Sequence, residues 1–162
     1  MNASIGRIAF ALIDIESKKK WVNRLNDQQL IDGDVYGIEF KSYEYYKLDW
    51  PISDREYVLQ SNWTINTASE ISSAQLSISS IMHQTYPLRK DRVRGDLQQL
   101  VFSLKAVKPN VTEIKVEIQV DPTGKLPKFL ANMIQKNWPL TTLRSLNKEL
   151  NQGKEKHKLF LI

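Results

Sequence analysis

Thr112-Glu-Ile-Lys-Val-Glu-Ile-Gln-Val120 is the clearest strand signal in the sequence, and Asp121-Pro-Thr-Gly124 follows it directly. Its apolar and polar residues alternate, so the apolar residues share one face of a strand and the charged residues share the other. Such alternation is typical of an antiparallel sheet with one buried and one solvated face. The proline and glycine after it end the strand, and the period of the sequence then changes.

From residue 126 the apolar residues recur at helical spacing, which predicts one amphipathic helix up to about residue 150. Pro139 lies inside this segment, so we expect a kink or break near Asn137. The apolar stripe consists of Leu126, Phe129, Leu130, Met133, Ile134, Trp138, Leu143, Leu146 and Leu150.

Upstream, two-residue alternation predicts further strands over residues 36–46, 57–65, 73–85 and 97–107. Pro51 makes residues 49–54 a loop. The first thirty residues are interpreted as helical, with Ser4 capping one helix and a second helix from about Glu16 to Leu25. The predicted class is therefore α+β: two short helices, an antiparallel sheet and one long C-terminal helix.

The composition excludes several classes of site. The chain has 162 residues, which suits one domain, and it has no cysteine, so disulfides, thiolate zinc sites and a cysteine nucleophile are excluded. The net charge of +5 is uneven, because residues 82–162 hold 15 basic and 7 acidic side chains. A basic half favours contact with nucleic acid or an anionic lipid surface, but no nucleic-acid-binding motif accompanies it.

Four segments, in order, resemble the START family of lipid-transfer domains. They are the helical segment Ala11–Trp21, the run Trp50-Pro-Ile-Ser-Asp-Arg-Glu-Tyr-Val58, the triplet Val93-Arg-Gly95, and Asp121-Pro-Thr-Gly-Lys-Leu-Pro-Lys-Phe-Leu-Ala-Asn132. The resemblance extends from about Ile8 to Leu150. It implies a helix-grip fold, in which a curved sheet grips the C-terminal helix around a lipid-sized tunnel.

The chain departs from the family at its beginning, because START domains carry a further helix and several strands before the segment that matches here. We therefore expect a sheet of about six strands with one edge left open. The chain is either a fragment of a longer protein or a compact variant, and we favour a fragment. A signal peptide, if the whole protein has one, would then be missing together with the first strands. The domain is assigned to residues 1–152, and residues 153–162 to a basic tail.

The resemblance and the strand faces together give a candidate lipid pocket. The alternative, in which these side chains form ordinary core packing, stays open. The candidate pocket residues are Phe40, Glu44, Leu59, Ser61, Trp63, Leu100, Phe102, Phe129 and Met133.

Glu44 is the most informative polar residue, because the alternation puts it on the inner face with Phe40. A buried carboxylate needs a partner. In sterol-binding START domains the partner is an arginine on the neighbouring strand, and Ser61 holds the matching position here, which speaks against sterol binding. The possible partners of Glu44 are then a ligand hydroxyl, a choline-like cation, Ser61 or water. In the alternative interpretation, Glu44 lies in solvent at the end of its strand.

Two arginines are candidates for phosphate binding, since guanidinium matches phosphate geometry. Arg94 is predicted to contact a head group or the membrane, and the loop from Pro87 to Gly95 is predicted to gate the pocket. For Arg55 a structural role at the start of its strand is favoured.

The predicted function is non-enzymatic binding or transfer of one lipid, with no cofactor, no metal and no nucleic acid. A monomer in the cytoplasm or at a membrane surface is expected, or outside the cytoplasm if a signal peptide is missing. The alternative is an enzyme of the wider helix-grip superfamily, a polyketide cyclase or aromatase. In that case Glu44, Tyr57 and Ser61 would be the cavity residues.

Overall fold

Two short helices begin the chain because two side chains cap their N-termini. The Ser4 hydroxyl accepts a hydrogen bond from the Arg7 amide, and the Asp14 carboxylate accepts one of 2.8 Å from the Ser17 amide. A side-chain acceptor at this position satisfies an amide that has no partner within the helix. The predicted cap at Ser4 is confirmed.

The computed structural model describes residues 1–66, 72–121, 123–124 and 128–152, with side chains except those of residues 128–136. These residues form three helices and seven strands. The elements are α1 (Ile5–Ile13), α2 (Ile15–Trp21), β1 (Leu25–Gly33), β2 (Glu39–Tyr46), β3 (Arg55–Asn66), β4 (Ser73–Ser80), β5 (Val93–Arg94), β6 (Asp96–Lys108), β7 (Val111–Asp121) and α3 (Lys128–Gln152).

The helical interpretation of the first thirty residues is wrong beyond Trp21. Arg24 has a positive φ of 67°, which ends the helical path, and β1 begins at Leu25. Few apolar residues alternate in β1, so local periodicity gave no strand signal. Its strand form comes from antiparallel pairing with β2, in which Gln28 lies opposite Glu44. Tertiary pairing has overridden local preference here.

The sheet has the order β1-β2-β3-β4-β6-β7, with β5 added in parallel beside β3. Five of the six long strands were predicted from the sequence, and β1 was not. Neighbouring long strands are antiparallel. Strand β4 ends at Ser80, earlier than predicted. The chain from residue 81 to residue 92 then crosses the outer face of the sheet, where Tyr86 stacks on Tyr43 with ring centroids 5.0 Å apart.

The core lies between the inner face of the sheet and the helices. Fully buried residues from four elements meet there: Ile8 of α1, Leu76 of β4, Leu104 of β6 and Leu146 of α3. Helix α3 packs against α1, α2 and β7 and continues through Pro139. Of the kink or break expected near Asn137, the break does not occur, because α3 is continuous across Pro139. A proline removes one hydrogen bond from a helix, and packing along α3 keeps the turns on either side of it helical.

The N-terminal residues pair with the free edge of β7. The Met1 ammonium donates to the Thr112 carbonyl at 2.7 Å, the Thr112 amide donates to the Met1 carbonyl at 2.9 Å, and the Thr112 hydroxyl donates to the Ala3 carbonyl. These contacts cover the first residues of an edge that would otherwise present unpaired backbone groups. The predicted basic tail, residues 153–162, lies outside the described residues.

Candidate functional site

A row of polar side chains crosses three strands on the inner face of the sheet. Strand register sets Gln28 of β1 opposite Glu44 of β2, and Glu44 opposite Tyr57 of β3. Side chains at directly opposite positions of an antiparallel pair lie close together, with Cβ atoms about 5 Å apart. The row therefore puts an amide, a carboxylate and a phenol side by side in a largely apolar surface.

Glu44 is buried, with 3% of its surface exposed, as the alternation predicts. Its Oε1 accepts a hydrogen bond from the Lys18 ammonium of α2, and its Oε2 accepts one of 2.6 Å from the Tyr46 hydroxyl. Both carboxylate oxygens thus have partners, which offsets the penalty of burying the charge. The alternative that placed Glu44 in solvent is wrong.

Lys18 is the partner that sequence reasoning missed. It lies in the run Lys18-Lys-Lys20, and it is only 8% exposed whereas the other two lysines are exposed. The only local signal is its spacing of three residues from Trp21, which is also buried. A helix brings residues three apart onto one face, so the burial of Trp21 carries Lys18 inward.

Ser61 does not neighbour Glu44. It lies opposite Phe40 on β2 and Ile78 on β4, two pairs of residues along β3 from Tyr57. The position facing Glu44 on β3 is Tyr57, and the charged partner of Glu44 comes from α2 rather than from the neighbouring strand.

The two tyrosines beside Glu44 have perturbed acidities. Burial raises the pKa of Tyr57 to about 12, and burial together with the nearby Glu44 carboxylate raises the pKa of Tyr46 well above its usual value. Their rings meet edge to face, with centroids 5.7 Å apart. Both phenols therefore stay protonated at neutral pH and can serve as hydrogen-bond donors.

Gln28 is 5% exposed, and its side-chain oxygen Oε1 is buried without a hydrogen-bond partner in the described part of the chain. Buried polar atoms are nearly always paired, so an unpaired one in a native structure calls for an explanation. Sequence reasoning missed this residue because it took the segment for helix.

Most of the predicted pocket residues lie together on the inner face. They are all buried, and each belongs to the same surface of β2, β3 or β6 that carries Glu44. These residues are Phe40, Leu59, Ser61, Trp63, Leu100 and Phe102. The side chains of Phe129 and Met133 lie outside the described residues.

Arg94 belongs to a separate cluster on the outer face. Its Nε and a terminal nitrogen donate to the Glu56 carboxylate at 3.1 and 2.8 Å, and Glu56 is completely buried. The Tyr43 hydroxyl donates to the same carboxylate at 2.8 Å, and Arg92 approaches it to 3.9 Å. Arg94 also donates to the Tyr86 carbonyl, so this cluster holds the segment from residue 81 to residue 92 against the sheet.

Arg55 is buried and its guanidinium donates to two backbone carbonyls, those of Ser53 and Thr123, the latter at 3.1 Å. It therefore ties the start of β3 to the segment between β7 and α3. The structural role favoured for Arg55 agrees with these contacts to backbone carbonyls.

Several large apolar side chains are exposed in two neighbouring connections. Trp50, between β2 and β3, is 92% exposed, while Met82 and Leu88, between β4 and β5, are 87% and 70% exposed. Arg89 and Lys90 follow directly in the second connection and are also exposed. Within the described residues, no helix is both long enough and apolar enough to cross a bilayer, and no cluster of three acidic or histidine side chains could hold a metal.

Comparison with curated proteins finds relatives at low identity, while no protein-family profile matches the chain. START domain-containing protein 10 of mouse and of human is 29% identical over 126 residues, which cover 75% of this chain. An uncharacterized protein of Pseudomonas aeruginosa is 24% identical over 147 residues, covering 90% of this chain and 69% of its own length. The chain spans 40% of the length of the mammalian relatives.

Among solved structures, human STARD10 superposes with a TM-score of 0.82 over 94% of this chain and 60% of its own, at 24% identity. The chain has the START fold. A STAR-related lipid transfer protein from Xanthomonas axonopodis superposes with a TM-score of 0.76 over 94% of this chain and 82% of its own, at 21% identity. The resemblance to START domains and the helix-grip fold predicted from it are thereby confirmed.

Proposed function

We propose that this START domain binds one lipid between the inner face of its sheet and α3, and carries it without catalysing a reaction. The observation that carries the proposal is the polar row of Gln28, Glu44 and Tyr57 in a mostly apolar inner face. A ligand site typically combines mostly apolar walls with a few placed polar groups. The names of STAR-related structural neighbours agree with a lipid as the ligand.

The apolar wall provides the affinity for the lipid chains. Removing apolar surface from water stabilises by about 25 cal/mol per Å², so the inner residues Phe40, Leu59, Leu100 and Phe102 suit acyl or ring carbons. We propose that Phe129 and Met133 of α3 complete this wall, as predicted from the stripe of that helix.

The polar end of the lipid lies at Lys18 and Glu44 in this proposal. These two groups are already paired and buried, so the pair adds no net charge to the site. Adding an unpaired charge to such a site is unfavourable. A lipid whose polar end is neutral or zwitterionic therefore fits better than one with a net charge.

Contact with the membrane surface involves Trp50, Met82 and Leu88 in this proposal. Tryptophan favours the membrane–water interface, and Arg89 and Lys90 beside these apolar residues favour an anionic surface. Arg94, predicted to contact a head group, contributes by holding this segment on Glu56.

The test is native mass spectrometry of the protein purified from cells, followed by extraction and identification of what it retains. We expect one apolar molecule per chain. Glu44→Gln should change which lipids are retained, because the variant removes the counter-charge of Lys18. Glu39→Gln, at an exposed position of the same strand, is the matched control and should retain the wild-type lipids.

The proposal fails if no apolar molecule copurifies and no lipid of a broad panel raises the melting temperature. Salt dependence separates a lipid site from nucleic-acid binding by the basic half of the chain. Affinity for nucleic acid falls steeply with rising salt, whereas uptake of a neutral lipid into an apolar site should change little.

A further inference from the structure

We infer that the polar end of the ligand carries a hydrogen-bond donor, an ammonium N–H or a hydroxyl, and that Gln28 accepts it. This inference rests on the proposed lipid-binding function and narrows the class of lipid. Its starting point is the buried Oε1 of Gln28, which has no partner among the described residues. In native structures such buried atoms nearly always accept a hydrogen bond from protein or water. A donor group of the ligand beside Gln28 would supply that hydrogen bond.

Gln28 offers a buried acceptor beside the ion pair that has no partner among the described residues. The Glu44 carboxylate already accepts from Lys18 on one oxygen and from Tyr46 on the other. The amide of Gln28 lies directly across the strand pair from Glu44 and shares its face of the sheet. A donor that approaches Glu44 from β1 therefore meets the Gln28 oxygen.

Tyr57 gives the row a second polar group on the opposite side of Glu44. Its ring lies close against Gly95, and it faces Glu44 across the strand pair. A phenol hydroxyl both donates and accepts. A hydroxyl or ammonium group lying over Glu44 could thus bond to Gln28 on one side and to Tyr57 on the other.

Two classes of lipid carry such a hydrogen-bond donor on the head group, and a third class lacks one. Phosphatidylethanolamine presents N–H donors on a zwitterionic head group, and diacylglycerol presents an O–H donor on a neutral one. Phosphatidylcholine is zwitterionic but has no donor on its trimethylammonium group. Comparing uptake of the three lipids separates the effect of a hydrogen-bond donor from the effect of net charge.

The experiment measures uptake of three pyrene-labelled lipids with identical acyl chains from vesicles into the 162-residue protein. The lipids are phosphatidylethanolamine, diacylglycerol and phosphatidylcholine. Gln28→Met keeps the side-chain length and removes the acceptor. Gln98→Met, at an exposed position at the start of β6, is the matched control. Melting temperatures of all variants are measured alongside, so that loss of fold is recognised.

We expect wild-type protein to prefer at least one donor lipid over phosphatidylcholine. In folded Gln28→Met that preference, the ratio of the two affinities, should fall about tenfold, the effect of one buried hydrogen bond. A fall in the ratio for phosphatidylethanolamine identifies the donor as an ammonium group, and a fall in the ratio for diacylglycerol identifies it as a hydroxyl group. Unchanged ratios in folded Gln28→Met, or a wild-type preference for phosphatidylcholine, would overturn the inference. Absence of uptake for every lipid would overturn the proposed function itself.

Discussion

The Lys18 ammonium on α2 is bonded to the Glu44 carboxylate on β2, across 26 residues of sequence and inside the protein. Both side chains are almost completely buried. Removing one member of a buried ion pair leaves the other charge uncompensated, whereas replacing both together is often tolerated. The pair therefore fixes α2 against the inner face of the sheet and sets the charge of the candidate site.

Lys18→Met should lower the free energy of unfolding by about 3–5 kcal/mol, because the Glu44 carboxylate is left without its counter-charge. Lys18→Met combined with Glu44→Gln should recover a large part of that loss. Urea denaturation followed by circular dichroism measures both. Lys115→Met, which breaks the exposed pair with Glu117, is the control and should change stability little. Glu44→Gln alone completes the cycle, and a double-variant loss equal to the sum of the two single losses would show that the two residues act independently.

Gly95→Ala should destabilise the protein, because a Cβ at this position would lie 2.4–2.6 Å from atoms of the Tyr57 ring. Overpacking of this kind costs about 1–3 kcal/mol. Tyr57→Leu in the same chain should relieve the clash, so the double variant should lose less than the sum of the two single losses. Thermal unfolding of the four proteins gives the comparison. Additive losses would mean that the ring does not oppose the added methyl group.

Stability should fall between about pH 10 and pH 12. Burial raises the pKa of Tyr57 to about 12 in the folded protein, while an unfolded tyrosine titrates near pH 10. Above pH 10 the unfolded chain releases its proton first, so folding loses about 1.4 kcal/mol per pH unit from this residue. Denaturation midpoints at pH 9, 10, 11 and 12 measure the slope. Tyr57→Phe should give a shallower slope, and an identical slope would contradict the shifted pKa.

Glu56→Gln should loosen the segment from residue 81 to residue 92, because it removes the charge that holds Arg94 and Arg92. Trypsin should then cleave after Arg89 and Lys90 faster than in the wild type, since these exposed residues become accessible in an extended form. Limited proteolysis with mass spectrometry of the fragments follows the rate. Glu39→Gln, an exposed carboxylate on β2, should leave the rate unchanged. Equal rates in both variants would exclude Glu56 as the anchor.

Strands with clear alternation could be predicted from the sequence, and β1 could not. In β7 the side chains of Ile114, Val116 and Ile118 share a face, so the pattern itself specifies the strand. In β1 the run Asn26-Asp-Gln-Gln29 carries no such pattern, and only pairing with β2 makes it extended. Burial of Glu44 followed from its position in an alternating strand. Its partner did not, because nothing near Glu44 in the sequence points to a lysine of the preceding helix.

The alternating strands β2, β3, β4, β6 and β7, the long helix after them and the inward direction of Glu44 follow from local sequence, since strand and helix periods are written in neighbouring residues. Three contacts are visible only in the folded protein: Lys18 neutralises Glu44, Gln28 lies beside Glu44, and Arg94 turns to Glu56 on the other face. These are contacts between residues far apart in the chain. They depend on strand register and on how α2 packs, and no local pattern records either.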